Sequence, residues 1–444
     1  MKTSSPVSVI NIAPYKVEHY RQNVGDDGYS IFETDSLQGQ AGTVATATAK
    51  PFTGFHENTG AAGRLDSGPI ALAGSLVLKL YYDRDTYTVN FDSRGGNAVS
   101  SQNGIRYEGL AVTPVAPTKT GYLFDGWYLG EDLSAAYDFS ASITDSFTLY
   151  AKWAPRTDTA YKVEHYRQNV ENDGYTLFET DDLQGTTDAN VTATAKSYTG
   201  FHENAGTADR VASGTVAPDG SLVLKLYYDR DTYTITFDSR GGNAVPSQNG
   251  IRYEGLAVMP VAPAKTGYLF DGWYSDAELS AAYDFSAPVT DSFTLYAKWS
   301  PRTDTAYRVE HYRQNVENDG YTLFKTDDLQ GTTDANVTAT AKSYTGFHEN
   351  AGTADRAASG TVAPDGSLVL KLYYDRDTYT VTFDTNGGDM VPSQNGIRYE
   401  GLAVTPVAPT KTGYLFDGWY SDEGLSAAYN FSTPVTDNFT FYAK

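Results

Sequence analysis

Asp229-Arg230-Asp231-Thr232-Tyr233-Thr234 occurs three times in this chain, returning as Asp83 to Thr88 and as Asp375 to Thr380. Each occurrence closes a stretch of one kind and opens a stretch of another, so the 444 residues read as A-B-A-B-A-B. A fixed period at this scale decides the architecture before any local structure is assigned. The A segments open at Tyr15, Tyr161 and Tyr307, 146 residues apart each time. The expected division is a lead at 1–14, A segments at 15–85, 161–231 and 307–377, B segments at 86–153, 232–299 and 378–444, and linkers at 154–160 and 300–306. The second and third A segments differ only at Lys162/Arg308, Glu179/Lys325 and Val211/Ala357 between their first tyrosine and the repeated arginine, the mark of tandem duplication.

A segment of roughly 70 residues hides only about 60% of its unfolded surface, enough for a small core of its own. Module A closes with Ser221-Leu222-Val223-Leu224-Lys225-Leu226-Tyr227-Tyr228. Its alternation puts Leu222, Leu224, Leu226 and Tyr228 on one face of a strand and Val223, Lys225 and Tyr227 on the other. Tyr161 to Tyr166 makes another strand, and Asn172-Asp173-Gly174 and Pro218-Asp219-Gly220 supply turns. Val191 to Lys196 mixes alanine with threonine and is open between a strand and a short helix.

Module B opens with the alternating Tyr233-Thr234-Ile235-Thr236-Phe237-Asp238, broken by Gly241-Gly242. The prolines of Met259-Pro260-Val261-Ala262-Pro263 disfavour a helix. There follow Gly267-Tyr268-Leu269-Phe270-Asp271-Gly272-Trp273-Tyr274 and a last strand, Phe293 to Trp299. Trp127, Trp273 and Trp419 are the expected core anchors, since a small β module needs a large aromatic side chain to fill it.

The pattern Tyr-x-Val-x-His, Asp-Gly-Tyr, Thr-Gly-Phe and Leu-x-Leu-Tyr-Tyr in A resembles the mucin-binding-protein repeat of bacterial surface adhesins. In B, Phe-Asp-x-x-Gly-Gly, Gly-Tyr-x-Phe-Asp-Gly-Trp-Tyr and Leu-Tyr-Ala-Lys-Trp resemble the internalin B repeat, also called the Listeria-Bacteroides repeat. Both resemblances imply small β-grasp, ubiquitin-like modules of bacterial proteins that are secreted or held on the cell surface. The expected fold class is therefore mainly β or α+β, a tandem, elongated array of six such modules. In line they would reach roughly 170 Å, from a radius of gyration of about 11 Å each.

Composition excludes several functions. Fifty-five acidic residues against 33 basic ones give a net charge of −22, which opposes nucleic acid and anionic lipid. With no cysteine there is no disulfide, thiolate metal site or cysteine nucleophile. Met1 to Ile10 lacks the pattern of a signal peptide, and no apolar run is long enough to span a membrane. The first two B segments close on Trp153 and Trp299 and the third stops at Lys444, which reads as a fragment.

No catalytic motif stands out. The glycine pairs lack the Lys-Ser/Thr of a phosphate loop, and there is no nucleophile elbow. His165 and His202, with their copies, lack zinc-ligand spacing, and Asp229 and Asp231 offer calcium too few oxygens. No cofactor or metal is expected. An internal isopeptide bond would have to use Lys225 or its copies Lys79 and Lys371. Asp83, Arg84 and Asp85, with Asp229, Arg230 and Asp231 and with Asp375, Arg376 and Asp377, are expected to stiffen the A-to-B junctions by pairing the arginine between its two acids. The linkers between B and A are expected to be softer hinges. The sequence thus points to a non-catalytic stalk, acting as an elongated monomer on a bacterial surface. The alternative is multivalent binding of a host glycan such as mucin, or of a host protein, with Tyr166, Tyr227, His165 and His202 as candidate contacts.

Overall fold

The computed structural model describes residues 9–444; residues 1–8, and with them most of the lead segment and the signal-peptide reading, lie outside it. The described chain is built from strands, with no helix among the described residues. It divides into two compact units, one ending at Arg230 and the other beginning at Asp231.

In the first unit, the A segment contributes β1 (Ile12–Gln22), β2 (Tyr29–Gln40), β3 (Val44–Thr46), β4 (Phe55–Glu57), β5 (Ser67–Pro69) and β6 (Val77–Arg84). The lead does not end at residue 14, because Ile12 to Pro14 already pair with Gln40 to Gln38. The sheet order is β2-β1-β6-β4, with β3 and β5 forming a separate ribbon. First and last strands run parallel at the centre, Lys16 opposite Val77 through Arg21 opposite Tyr82. The alternation in β6 drives this: Leu78, Leu80 and Tyr82 are buried, and Val17, Phe55 and Ile70 pack on them.

The B segment follows after a single residue with β7 (Thr86–Asp92), β8 (Gln102–Arg106), β9 (Tyr122–Leu129), β10 (Ala135–Ala136) and β11 (Phe147–Pro155). Its order is β10-β9-β11-β7-β8, again with first and last long strands parallel, Val89 opposite Phe147. Val89, Trp127, Ile143, Leu149 and Ala151 make its core. Trp127 is 4% exposed, its ring edge-on to Phe91 and Phe124. Trp153 packs against Gly96, where a Cβ would lie 2.7 Å from the indole, and donates to Ser93 O at 2.9 Å. The glycine pair is therefore a turn that also makes room for this ring. The second A segment completes the unit with the order of the first, from Thr159–Gln168 to Val223–Arg230.

The second unit holds B, A and B segments; its A sheet repeats the order of the first, its B sheets repeat the first B order without a counterpart of β10, and Trp273 and Trp419 are each 4% exposed in their cores. In its last segment the strand that carries Trp419 is cut to Trp419–Tyr420, paired with the closing strand at Ala443 and Tyr442, and Leu415 is 95% exposed. A cavity there is lined by Thr385, Gly388, Lys411 and Phe416, the counterparts of residues around Trp153 and Trp299.

The open choice at Val191 to Lys196 resolves as a short strand, Asn190–Thr192, followed by irregular chain. The α+β alternative is thereby corrected toward an all-β chain: the crossovers are short ribbons and turns, too rich in glycine, threonine and proline to hold a helix. No helix among the described residues is long and apolar enough to cross a membrane.

Candidate functional site

The features with most chemistry lie where one segment meets the next inside each unit. At the first A-to-B junction, β6 and β7 are separated only by Asp85. A strand turns successive side chains to opposite faces, so an arginine cannot face both of its acidic neighbours. Arg84 accordingly reaches away from Asp83 and Asp85. Its Nε donates to Gln22 O at 2.8 Å, and its Nη1 to Tyr107 O and Glu108 Oε2, both at 2.6 Å. Asp83 accepts instead from Tyr29 Oη and from Asn58, within the A segment. Asp85 meets Nδ1 of the exposed His56 at 2.7 Å. The expected acid–arginine–acid pairing is thus corrected: the arginine joins the two segments, and the acids serve their own surroundings.

Backbone groups add to the junction. Asp85 N–H donates to Gly54 O at 2.9 Å, and Tyr107 N–H to Asp85 O at 2.8 Å. Gly54 (φ +77°) lies under the Tyr107 ring; a Cβ there would come within 2.5 Å of Cδ1 and closer to Cγ. Phe55 meets the same ring edge-on at 5.7 Å. In the second unit the third junction repeats this. Arg376 Nη1 donates to Tyr399 O at 2.6 Å and to Glu400 at 2.7 Å, Asp375 accepts from Asn350 at 2.9 Å, and Asp377 meets His348 at 2.7 Å. In the middle copy, Asp229 accepts from Asn204 at 2.9 Å and Arg230 Nε donates to Gln168 O at 2.8 Å, both within the first unit. Asp231 opens the second unit, its carbonyl accepting from Tyr253 N–H at 2.8 Å.

The B-to-A connection departs from the expected soft linker. Of residues 154–160 only 156–158 lie outside strands. Arg156 N–H donates to Gly121 O at 2.9 Å, and Thr187 N–H to Arg156 O at 2.8 Å. The buried Thr187 hydroxyl donates to Gly121 O at 2.7 Å and meets the Thr159 hydroxyl at 2.7 Å. Tyr122 Oη also donates to Asp188. Thr333, Gly267, Arg302 and Asp334 repeat these contacts in the second unit. Polar composition suggested a hinge; the Arg156 backbone and the Thr159 hydroxyl instead join the Gly121 turn of B to the Thr187 loop of A.

The candidate ligand contacts are placed as follows. His165 is fully buried, its Nε2 3.2 Å from Asp181 and its Nδ1 2.9 Å from Tyr228 Oη. The carboxylate can only accept, so Nε2 carries the proton and Nδ1 accepts from the tyrosine. Tyr227 is 7% exposed and stacks on Tyr166 with centroids 5.0 Å apart, while Tyr175 meets it edge-on. The four-stranded sheet and its aromatic neighbours cover both His165 and Tyr227, so neither of these candidate contacts faces solvent. Tyr166 is half-buried and donates to Glu164 at 2.7 Å, a bond that pushes its phenol up to about 12. His202 is exposed.

Sequence reasoning missed the partners of the buried histidine, Asp181 and Tyr228, and Lys196, which bridges Asp181 and Glu179 at 2.6 and 2.9 Å. The Lys196 ammonium holds the Asp181 carboxyl below its usual range. Lys225, the isopeptide candidate, lies with Nζ 5.8 Å from the Tyr166 ring centroid. Among the described residues no three of His, Asp and Glu converge as metal ligands.

Comparison with known proteins finds one family within the chain. Residues 87–152, 233–298 and 379–444 each match the Listeria-Bacteroides repeat domain. Two relatives come from Evansella cellulosilytica. One, named a Gly-rich membrane protein, is 27% identical over 347 residues, covering 74% of this chain and 39% of that protein. The other, named a membrane protein, is 30% identical over 231 residues, covering 51% and 33%. Internalin H of Listeria monocytogenes is 35% identical over 83 residues, 18% of this chain and 15% of that protein. The chain thus spans between a third and two-fifths of the length of the Evansella relatives.

Proposed function

We propose that the chain is a non-catalytic stalk of a bacterial surface or secreted protein, six β-grasp-like modules that hold a functional head away from its anchor. The observation that carries this reading is the interlocking of successive segments inside each unit. Arg84 and Glu108 close one kind of joint, and Thr187 and Gly121 the other. Such joints resist bending at both module boundaries, which a spacer needs and an isolated binding domain does not. The β-grasp assignment draws support from the parallel, central pairing of first and last strands in both segment types. The mucin-binding-repeat likeness of the A segments, which rests on their sequence pattern, and the extracellular location, supported by the internalin relative, belong to the same proposal.

The experiment is deletion of one A-B pair, residues 161–306, from the full chain, with particle length measured by electron microscopy. A stalk shortens by about a third. An unchanged particle length would refute the spacer.

A further inference from the structure

In a protein of net charge −22, Arg21, Arg167 and Arg313 each sit inside aromatic surroundings with no ion pair of their own among the described residues. The Arg313 guanidinium lies 3.3 Å over the Phe324 ring, with Tyr344 and Phe347 at 4.3 and 4.6 Å. Arg21 and Arg167 repeat this over Phe32 at 3.1 Å and over Phe178 at 3.2 Å. All three Nε atoms are buried without a hydrogen-bond partner. Removing a cation from water without a directly paired counter-charge is costly, and burial works against the charge on Arg21, opposed by the nearby Glu108 and Glu33 carboxylates.

Arg313 lines a cleft of about 190 Å³ together with Phe324, Phe347, Arg376 and Glu400. Arg376 is committed to Glu400 and to the Tyr399 carbonyl, so two guanidinium groups and one carboxylate leave a single net positive charge. Seated over the Phe324 ring, the planar Arg313 guanidinium holds its donors in the fork geometry that grips a planar carboxylate bidentately. One charge balances a monoanion and not a phosphate dianion. Asn315 and Thr322 in the lining bond each other at 2.7 Å and keep spare hydrogen-bonding capacity suited to hydroxyls. The volume is below the range of drug-sized pockets, so the ligand is small.

We propose that this cleft, between the third A and third B segments, binds the carboxylate of a small hydroxylated ligand of the uronic acid class, gripped by Arg313. The first A-B pair carries the same arrangement in Arg21, Phe32, Arg84 and Glu108. There Asp26 also pairs with Arg106 at 2.6 Å, whereas Asn318 stands at the matching position of the third copy. The extra acid makes the first cleft the weaker one.

The test is titration of the full chain with glucuronate, glucose and acetate, following arginine Nε–H resonances. The buried Nε–H groups are shielded from water and report on binding at the same guanidinium. Glucuronate shifts the Arg313 resonance, and glucose and acetate bind at least about tenfold more weakly, for want of the charge-assisted pair or of the hydroxyls. Arg313→Lys weakens glucuronate about tenfold. Glu400→Gln, which removes a competing acid and leaves Arg313 on its rings, tightens it. An unmoved resonance, glucose or acetate equal to glucuronate, or a Glu400→Gln chain that binds no better would each overturn the proposal. If Arg313→Lys fails to fold, the direction of change in Glu400→Gln decides alone.

Discussion

Gly54→Ala is the sharpest perturbation of the A-to-B junction, because its cost divides into two parts. Any L residue held at φ +77° costs about 1–2 kcal/mol in backbone strain. The added methyl also has to displace the Tyr107 ring, an overpacking term of about 1–3 kcal/mol. Gly42 separates the two, having a similar φ of +83° and nothing within 4 Å of a built Cβ. Gly42→Ala is therefore expected to cost the backbone term alone. Hydrogen exchange of the full chain reads the difference at the Asp85 and Tyr107 amides, which hold the junction through Gly54 O and Asp85 O. At about 1.4 kcal/mol per tenfold, Gly54→Ala speeds exchange there roughly five- to a hundredfold beyond any effect of Gly42→Ala. Equal exchange in the two variants would refute the claim that the ring is seated on the glycine.

Other outcomes follow from the same contacts. Thr187→Val leaves the Thr159 hydroxyl without its partner and is expected to cost about 1–3 kcal/mol, read as faster exchange at Arg156 and Thr187. Trp127→Ala empties a core site and costs about 3–5 kcal/mol, whereas Trp127→Phe costs less because it keeps an aromatic ring in that site while both remove a buried N–H without a partner; urea midpoints of the first B segment distinguish them. Burial holds His311 below the ordinary histidine range, opposed by the Asp327 hydrogen bond and aided by the nearby Lys342 and Lys325 charges. Unfolded chain then takes up the proton first, so the third A segment loses stability as pH falls through about 6.5. Lys325→Glu, which installs the residue of the second copy, reduces that loss between pH 7.5 and 5.5, followed by exchange of the segment from Tyr307 to Gln314.

The strands were legible because one signal governs them. The Leu222, Leu224, Leu226, Tyr228 alternation fixes the face that Leu224, Leu226 and Tyr228 bury completely. The Asn172-Asp173-Gly174 turn was legible for a local reason too, with Asn172 at φ 60° and Gly174 at φ 133°. Partners were not legible where they depend on register between distant strands. His165 finds Asp181 across an antiparallel pair interrupted by a bulge after His165, and Tyr228 across a parallel pair 63 residues away. The pairing assigned to Arg84 was avoidable, since period-2 alternation already turns it from Asp83 and Asp85. The linkers misled because composition does not reveal docking: Pro155 ends a strand paired with Tyr122, and the polar residues after it are used in hydrogen bonds.

Small-angle scattering of the full chain tests the central claim, a stalk of stiffly joined modules, most directly. Six modules in line, roughly 170 Å, correspond to a radius of gyration of about 50 Å for a thin rod. A value near 22 Å, that of a single globule of this length, would contradict it.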